Sequence, residues 1–292
     1  MTKKARSVRA VRKPGAAAGY AQLREIMGEM GSTLIAFSGG VDSTLLLKAA
    51  VDVLGDKVEA VTAASPTYPG SEMRLARKLA RTMGVRHTII ATSEMENPDF
   101  ISNPPLRCYY CKRDLMSRLR EMAQEKGLAF VADGQNADDA SDFRPGARAA
   151  AELGIRSPLR EAGLTKVDIR LLSRRLGLPT WSLPSMACLA SRIPYGTPIS
   201  PEALGKIGRA EELLARMGFG QVRVRHHGDV ARIEVEQSDF RRLLEPRVRR
   251  RIERGLRRLG YLYVAVDLGG YRTGSLNEAL GRETKSAAIR KG

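Results

Sequence analysis

Two groups of residues in this sequence could do chemistry. The first is the run Ser38-Gly39-Gly40-Val41-Asp42-Ser43. Adjacent glycines let a backbone wrap closely around an anion, because neither carries a Cβ to hold the amides away. The Ser38 and Ser43 hydroxyls can donate further hydrogen bonds, and Asp42 is placed to hold a magnesium ion against bound phosphate. No Lys follows the glycines, so this is not a Walker A loop, and the spacing is not that of the Gly-x-Gly-x-x-Gly dinucleotide turn. The second group is the three cysteines: Cys108 and Cys111 form a Cys-x-x-Cys pair, and Cys188 stands alone far downstream. Three thiols cannot all pair. In a reducing compartment they suit a metal or sulfur-chemistry site better than a disulfide frame.

The surrounding pattern says how the glycine run is positioned. Leu23, Ile26, Met27 and Met30 recur at helical spacing, Gly31-Ser32 interrupts, and Thr33-Leu34-Ile35-Ala36-Phe37 reads as a short buried parallel strand. The run lies between that strand and a helix expected over 43–54, whose first turn presents unpaired amides and the positive end of the helix dipole to an anion. Further strands over 57–63, 85–91 and 128–132 alternate with helices over 71–83 and 109–125. The fold class is therefore α/β, a doubly wound parallel sheet with right-handed crossovers. Asp133, Asn136, Asp138 and Asp139 follow the last of these strands, at the carboxyl edge where such sheets bind ligands, and are candidates to touch nucleotide or magnesium.

The chain divides by composition into a basic tail over 1–18, the main α/β domain over 19–180, a Pro- and Ser-rich linker over 181–200 that carries Cys188, and a smaller C-terminal α+β domain over 201–292. The last reads as helix 201–217, strands 221–225 and 230–235, helix 238–258 and strand 261–266. Ala231, Ile233 and Val235 point one way; Arg232, Glu234 and Glu236 point the other. Arg223 and Arg225 share one face of their strand, a short anion fork that Arg272 could complete, unless that face is simply solvated. The Arg-dense run over 247–258 covers several helical faces and reads as a solvated or subunit-contact surface.

A formal net charge of +17 draws anions such as nucleotides, phosphorylated small molecules or RNA. Aromatic residues at 5% argue against a surface built to stack bases, so nucleic acid is not the expected partner. No stretch approaches the roughly 18 apolar residues of a membrane span, and the basic N-terminus leads into no apolar signal core; a cytoplasmic enzyme is expected.

Ser38-Gly39-Gly40-Val41-Asp42-Ser43 resembles the PP-loop of the ATP pyrophosphatases, a superfamily that includes NAD synthetase, GMP synthetase and the tRNA thiolases. Ser157-Pro158-Leu159, with Lys166, Val167, Arg170 and Leu176-Gly177-Leu178-Pro179, is similar to the end of the catalytic domain in these synthetases. The resemblance implies ATP going to AMP and pyrophosphate. Arg107-Cys108-Tyr109-Tyr110-Cys111-Lys112, the segment from Ala187 to Gly196, and Asp267-Leu268-Gly269-Gly270-Tyr271-Arg272-Thr273-Gly274-Ser275 together resemble the LarE family, over most of the chain from roughly residue 20 to 280. Its members insert sulfur into a pyridinium mononucleotide during synthesis of the nickel-pincer cofactor. The family implies adenylation of the carboxylates of pyridinium-3,5-biscarboxylic acid mononucleotide, attack by sulfur, and release of a thiocarboxylate. It also implies arginines on the substrate phosphate, here Arg223, Arg225 and Arg272, and a homo-oligomer.

Two sulfur sources are known in that family. A lone Cys at the position of Cys188 can surrender its own sulfur, or three cysteines can hold a 4Fe-4S cluster whose open iron carries an extra sulfide. Cys108, Cys111 and Cys188 supply the number the cluster needs, and it is the expected source. Zinc fits less well, since it wants four ligands and His87, His226 and His227 all lie away from the cysteine segments. If Cys108 and Cys111 merely pack as small hydrophobes, the sacrificial route returns. Arg192, beside Cys188, is expected to favour its thiolate. A tRNA thiolase and a non-catalytic ATP-binding regulator are the rival readings.

Overall fold

A computed structural model of the chain describes residues 15–141 and 145–281. All but the end of the expected basic tail lies outside the described residues. Helix α1 (Ala16–Met30) buries Leu23, Ile26, Met27 and Met30, the residues whose spacing predicts it. It leads into β1 (Thr33–Ala36), then α2 (Val41–Leu54), β2 (Val58–Ala64), α3 (Gly70–Thr82), β3 (Arg86–Ala91), the short α4 (Pro98–Ile101), the long α5 (Arg107–Glu125) and β4 (Phe130–Ala132). The four strands form one sheet in the order β3-β2-β1-β4, every pair parallel. Alternate residues serve opposite faces. Ile35 and Ala60 join α1 and α2 in one core, whereas Leu34, Val61 and Val131 meet Met116 and Leu119 of α5 in another. Covering both faces is what allows a strand as uniformly apolar as β1. The order reverses at β1, with β2 on one side and β4 on the other, so the loops after β1 and β4 part at a crevice.

Three helices follow: α6 (Pro145–Glu152), α7 (Pro158–Glu161) and α8 (Lys166–Arg175). Thr165 and Asp168 cap the start of α8 with a capping box. The second unit comprises α9 (Pro201–Arg216), β5 (Val222–His227), β6 (Val230–Val235), α10 (Phe240–Leu243), α11 (Pro246–Arg258) and β7 (Tyr263–Val266). Its sheet runs β5-β6-β7, antiparallel then parallel. The single helix expected over 238–258 is broken, because Pro246 has no amide to continue α10 and opens α11 instead. Ala231, Ile233 and Val235 pack with Ile252 and Leu256 of α11.

The opposite face of that sheet is covered along β5 and at Glu234 of β6, and open to solvent at β7. Arg223 is 8% exposed, Arg225 6% and Glu234 0%. Arg225 and Glu234 form a bidentate pair at 2.9 and 2.7 Å, and the rest of the Arg225 guanidinium donates to the Ser191 carbonyl and to Ser275 Oγ, both at 2.7 Å. The pair ties the small sheet to the linker. No helix among the described residues is long and apolar enough to cross a membrane. Replacing Glu234 by Ala strands a buried guanidinium, and urea denaturation should register a loss of about 3–5 kcal/mol; a loss within the range of a surface substitution would show the pair to be dispensable.

Candidate active site

The turn between β1 and α2 is locked by its own hydroxyls. Ser38 Oγ and Ser43 Oγ lie 3.0 Å apart, the Gly40 amide donates to Ser38 Oγ at 3.3 Å, and Ser43 Oγ donates to the Gly40 carbonyl at 3.2 Å. Gly39 sits at φ 77°, and a Cβ there would come 3.2 Å from the Ala76 backbone. Gly40 caps α2 without a side-chain hydrogen bond, so no capping side chain occupies the amides of the first turn. The strand β4 exit presses on the same spot: a Cβ on Gly134 would lie 3.1 Å from the Ser43 amide nitrogen.

Asp42 points back across the crevice. It is ion-paired with Lys166 and accepts from Asn136 Nδ2 at 3.2 Å. The four polar residues after β4 divide. Asn136 reaches Asp42 and holds the Asp138 amide at 2.9 Å, whereas Asp133 is buried and accepts from Ser157 Oγ at 2.8 Å and Gln135 Nε2 at 2.6 Å. Asp139 accepts from the Asn136 amide at 3.0 Å, and Asp138 from the Lys166 amide at 2.8 Å. These contacts brace the loop, and Asn136 reaches the glycine turn through Asp42.

A cavity of about 290 Å³ opens beside Ser38, between the carboxyl ends of β1 and β2 and the flank of α5. Phe37, Val61, Leu115 and Leu119 give it apolar walls, and Ser38 and Lys112 supply polar ones.

The cysteines come together through one buried amide. Asn103 is fully buried at φ 55°, and its Nδ2 donates to the carbonyls of Pro194 at 2.8 Å and Thr197 at 3.0 Å. Its Oδ1 accepts from Arg107 at 2.6 Å, and Arg107 stacks over Tyr195 at 4.8 Å. The linker that carries Cys188 is thereby docked on the turn that starts α5, where Cys108 and Cys111 sit. The Leu189 amide also donates to the Thr67 carbonyl at 2.7 Å.

Burial pushes the Cys188 thiol up, with Cys108 adding to the effect and Arg107 opposing it. Burial, then Cys188, drive Cys111 up as well. The three thiols thus share a neighbourhood and are free of disulfides. Among the described residues, however, no three His, Cys, Asp or Glu side chains converge as a metal centre.

Arg192 does not do what its position beside Cys188 suggests. Its guanidinium is bidentate to Glu211 at 2.8 Å and donates to the Ala187 and Cys188 carbonyls at 2.7 and 3.0 Å. It fixes the backbone of the loop, and the cation that acts on the thiol is Arg107.

The expected anion fork is only partly assembled. Arg225 is committed to Glu234, and Arg272 pairs with Glu278 at 3.2 Å and Asp267 at 3.6 Å. Arg223 makes no ion pair among the described residues. It donates to the carbonyls of Val222 at 2.8 Å and Ser185 at 2.5 Å and stacks on Tyr271 at 5.3 Å. Burial and the neighbouring Arg192 lower its pKa. Glu72, in the first turn of α3, lines the cavity and faces Arg192 and Arg223; burial raises its carboxyl from 4.5 to about 7, against the pull of those arginines.

The asparagine synthase family model matches residues 29–138, the span that holds the glycine turn. The chain is 44% identical over 258 residues to an uncharacterised protein of Synechocystis, covering 88% of this chain and 96% of that one. It is 40% identical over 247 residues to the pyridinium-3,5-bisthiocarboxylic acid mononucleotide synthase of Lactiplantibacillus plantarum, covering 84% of this chain and 89% of that enzyme. The chain belongs to the LarE family. An uncharacterised protein of Methanocaldococcus jannaschii is 30% identical over 242 residues. As a LarE-family member within the PP-loop ATP pyrophosphatases, the protein is an ATP-dependent sulfurtransferase.

Two outcomes follow for this LarE-family enzyme. Gly39→Ala forces a side chain into the left-handed region against backbone, so stability should fall by about 1–2 kcal/mol, with a parallel loss of nucleotide affinity by calorimetry; unchanged ATP binding would show that the turn is not the phosphate site. Glu72 gains proton affinity on folding, so its contribution is present below pH 4.5 and is lost as pH rises through about 7. Stability curves across that window should therefore decline more steeply for the native protein than for Glu72→Gln, and identical slopes would refute the burial of this carboxyl.

Proposed function

We propose that the enzyme adenylates the carboxylates of pyridinium-3,5-biscarboxylic acid mononucleotide with ATP and converts them to thiocarboxylates. One juxtaposition supports this reading most. The cavity that begins at Ser38 is closed on another side by Tyr68, whose surroundings include Cys111 and Cys188. Activation and sulfur delivery would then share one wall.

A carboxylate resists nucleophiles until one of its oxygens becomes part of a leaving group. The turn at Ser38, Gly39, Gly40, Asp42 and Ser43 would hold the phosphates of ATP by amides and hydroxyls, with Asp42 also drawn to magnesium in competition with Lys166. Adenosine would occupy the cavity between Phe37, Val61 and Leu119. Arg223, Arg225 and Arg272 are the candidates for the substrate phosphate. Arg223 leads them, because it lacks a carboxylate partner and a dianion would relieve its crowding with Arg192. The C-terminal domain would thus bind substrate and support a homo-oligomer.

For the sulfur we favour a 4Fe-4S cluster on Cys108, Cys111 and Cys188. Three mutually perturbing thiols with no competing imidazole suit it as donors, and when bound it would supply a sulfide on its open iron. The second reading is sacrifice of Cys188 itself. The lack of a converged metal centre among the described residues favours it.

The test is anaerobic protein given ATP, magnesium and the mononucleotide. AMP and pyrophosphate should form together with thiocarboxylate, and Asp42→Ala and Cys188→Ser should each abolish the product. ADP and phosphate would refute the reading. Iron that is lost in Cys108→Ser and Cys111→Ser, with no change in protein mass after turnover, supports the cluster; an iron-free protein lighter by the elements of hydrogen sulfide at Cys188 supports sacrifice.

A further inference from the structure

Sulfur must meet the activated acyl group where the nucleotide cavity adjoins the cysteines. A second, smaller pocket lies on the cysteine side, lined by Cys111, Glu94, Asp114 and Arg118. Ala63, Tyr68 and Leu115 line both spaces. They are the partition between them, and Tyr68 alone of the three has a polar end. On α5, Lys112 lines the nucleotide cavity and Arg118 the pocket at Cys111.

Tyr68 is held firmly. It precedes Pro69 and α3, its amide donates to the Ser65 carbonyl at 3.2 Å, and the preceding Thr67 is fully buried with its carbonyl bonded to Leu189. Ser65 and Thr67 in turn anchor on the buried carboxylate of Glu94. No hydrogen bond engages the Tyr68 hydroxyl among the described residues. As a phenol, the Tyr68 side chain carries its proton, and is a donor, at any working pH.

We propose that the Tyr68 hydroxyl is a catalytic residue of the sulfur-transfer step, donating a hydrogen bond to the acyl oxygen as sulfur attacks. The inference rests on the functional reading above. A sulfur lone pair forms the C–S bond while the carbonyl π pair moves onto oxygen. The phenol stabilises that oxyanion without giving up its proton. The pair then returns, and AMP departs with the electrons of the acyl C–O bond. Because the developing charge exists only after adenylation, the hydroxyl acts on the second half-reaction and not on the first.

The experiment uses Tyr68→Phe, which keeps the ring and its packing, with two readouts. Substrate-dependent exchange of pyrophosphate into ATP reports adenylation, and single-turnover thiocarboxylate formation reports sulfur transfer. Loss of a single oxyanion donor should slow transfer by about 100-fold while exchange and the KM for ATP stay at wild-type values. Transfer at the wild-type rate, or equal losses in both half-reactions, would overturn the assignment. Absence of exchange in the wild-type protein would instead overturn the functional reading, and this inference with it.

Discussion

A parallel strand buried on both faces must turn abruptly when it leaves the core, and in this protein that turn holds the glycine-rich run from Ser38 to Ser43. Thr33, Leu34 and Ile35 of β1 are fully buried, and the chain escapes through Gly39 in a left-handed conformation that brings it against the Ala76 backbone. The hydroxyls of Ser38 and Ser43 then bond to each other and to the turn itself, leaving the amides at the start of α2 uncapped by any side chain. The reversal of strand order at β1 sets the β4 exit opposite, so that Asn136 and Lys166 both reach Asp42. A glycine turn with free amides, its carboxylate and its neutralising lysine thus gather at the end of one buried strand.

The second half of the site is assembled by buried polar groups that bind backbone. Asn103 ties the loop over 193–197 to the start of α5, and Arg192 clamps the carbonyls of Ala187 and Cys188 while Glu211 neutralises it. Such arrangements carry a desolvation cost that apolar packing would not, and they are retained where a specific geometry is needed. The geometry achieved is the approach of Cys188 to two thiols over 70 residues earlier in the chain. The same linker covers the outer face of the small sheet, which is why Arg225 and Glu234 are buried there.

The strands of both sheets were legible because period and composition agree: the apolar run of β1, the alternation of β6 and the glycines of the turn each have one physical solution. Helix 238–258 was misread although the signal was present, since Pro246 cannot donate the hydrogen bond that would join α10 to α11. Arg225 looked like half of an anion fork because its partner Glu234 lies on the neighbouring strand, invisible to a reading along one strand. Arg192 adjoins Cys188 in sequence yet turns its guanidinium to carbonyls, so proximity along the chain misassigned the cation that acts on the thiol. Asn103, Thr67, Tyr68 and Glu72 escaped notice altogether. Their roles come from contacts between the segment after β2, the turn before α5 and the linker, and no local pattern marks them beyond a positive-φ asparagine.

The most direct measurement is a crystal structure with α,β-methylene ATP and magnesium, an analogue that cannot be split at the bond in question. Its phosphates should lie within hydrogen-bond distance of the amides from Gly39 to Ser43, with its adenosine between Phe37 and Leu119. Phosphates bound elsewhere, with those amides turned to solvent, would contradict that placement.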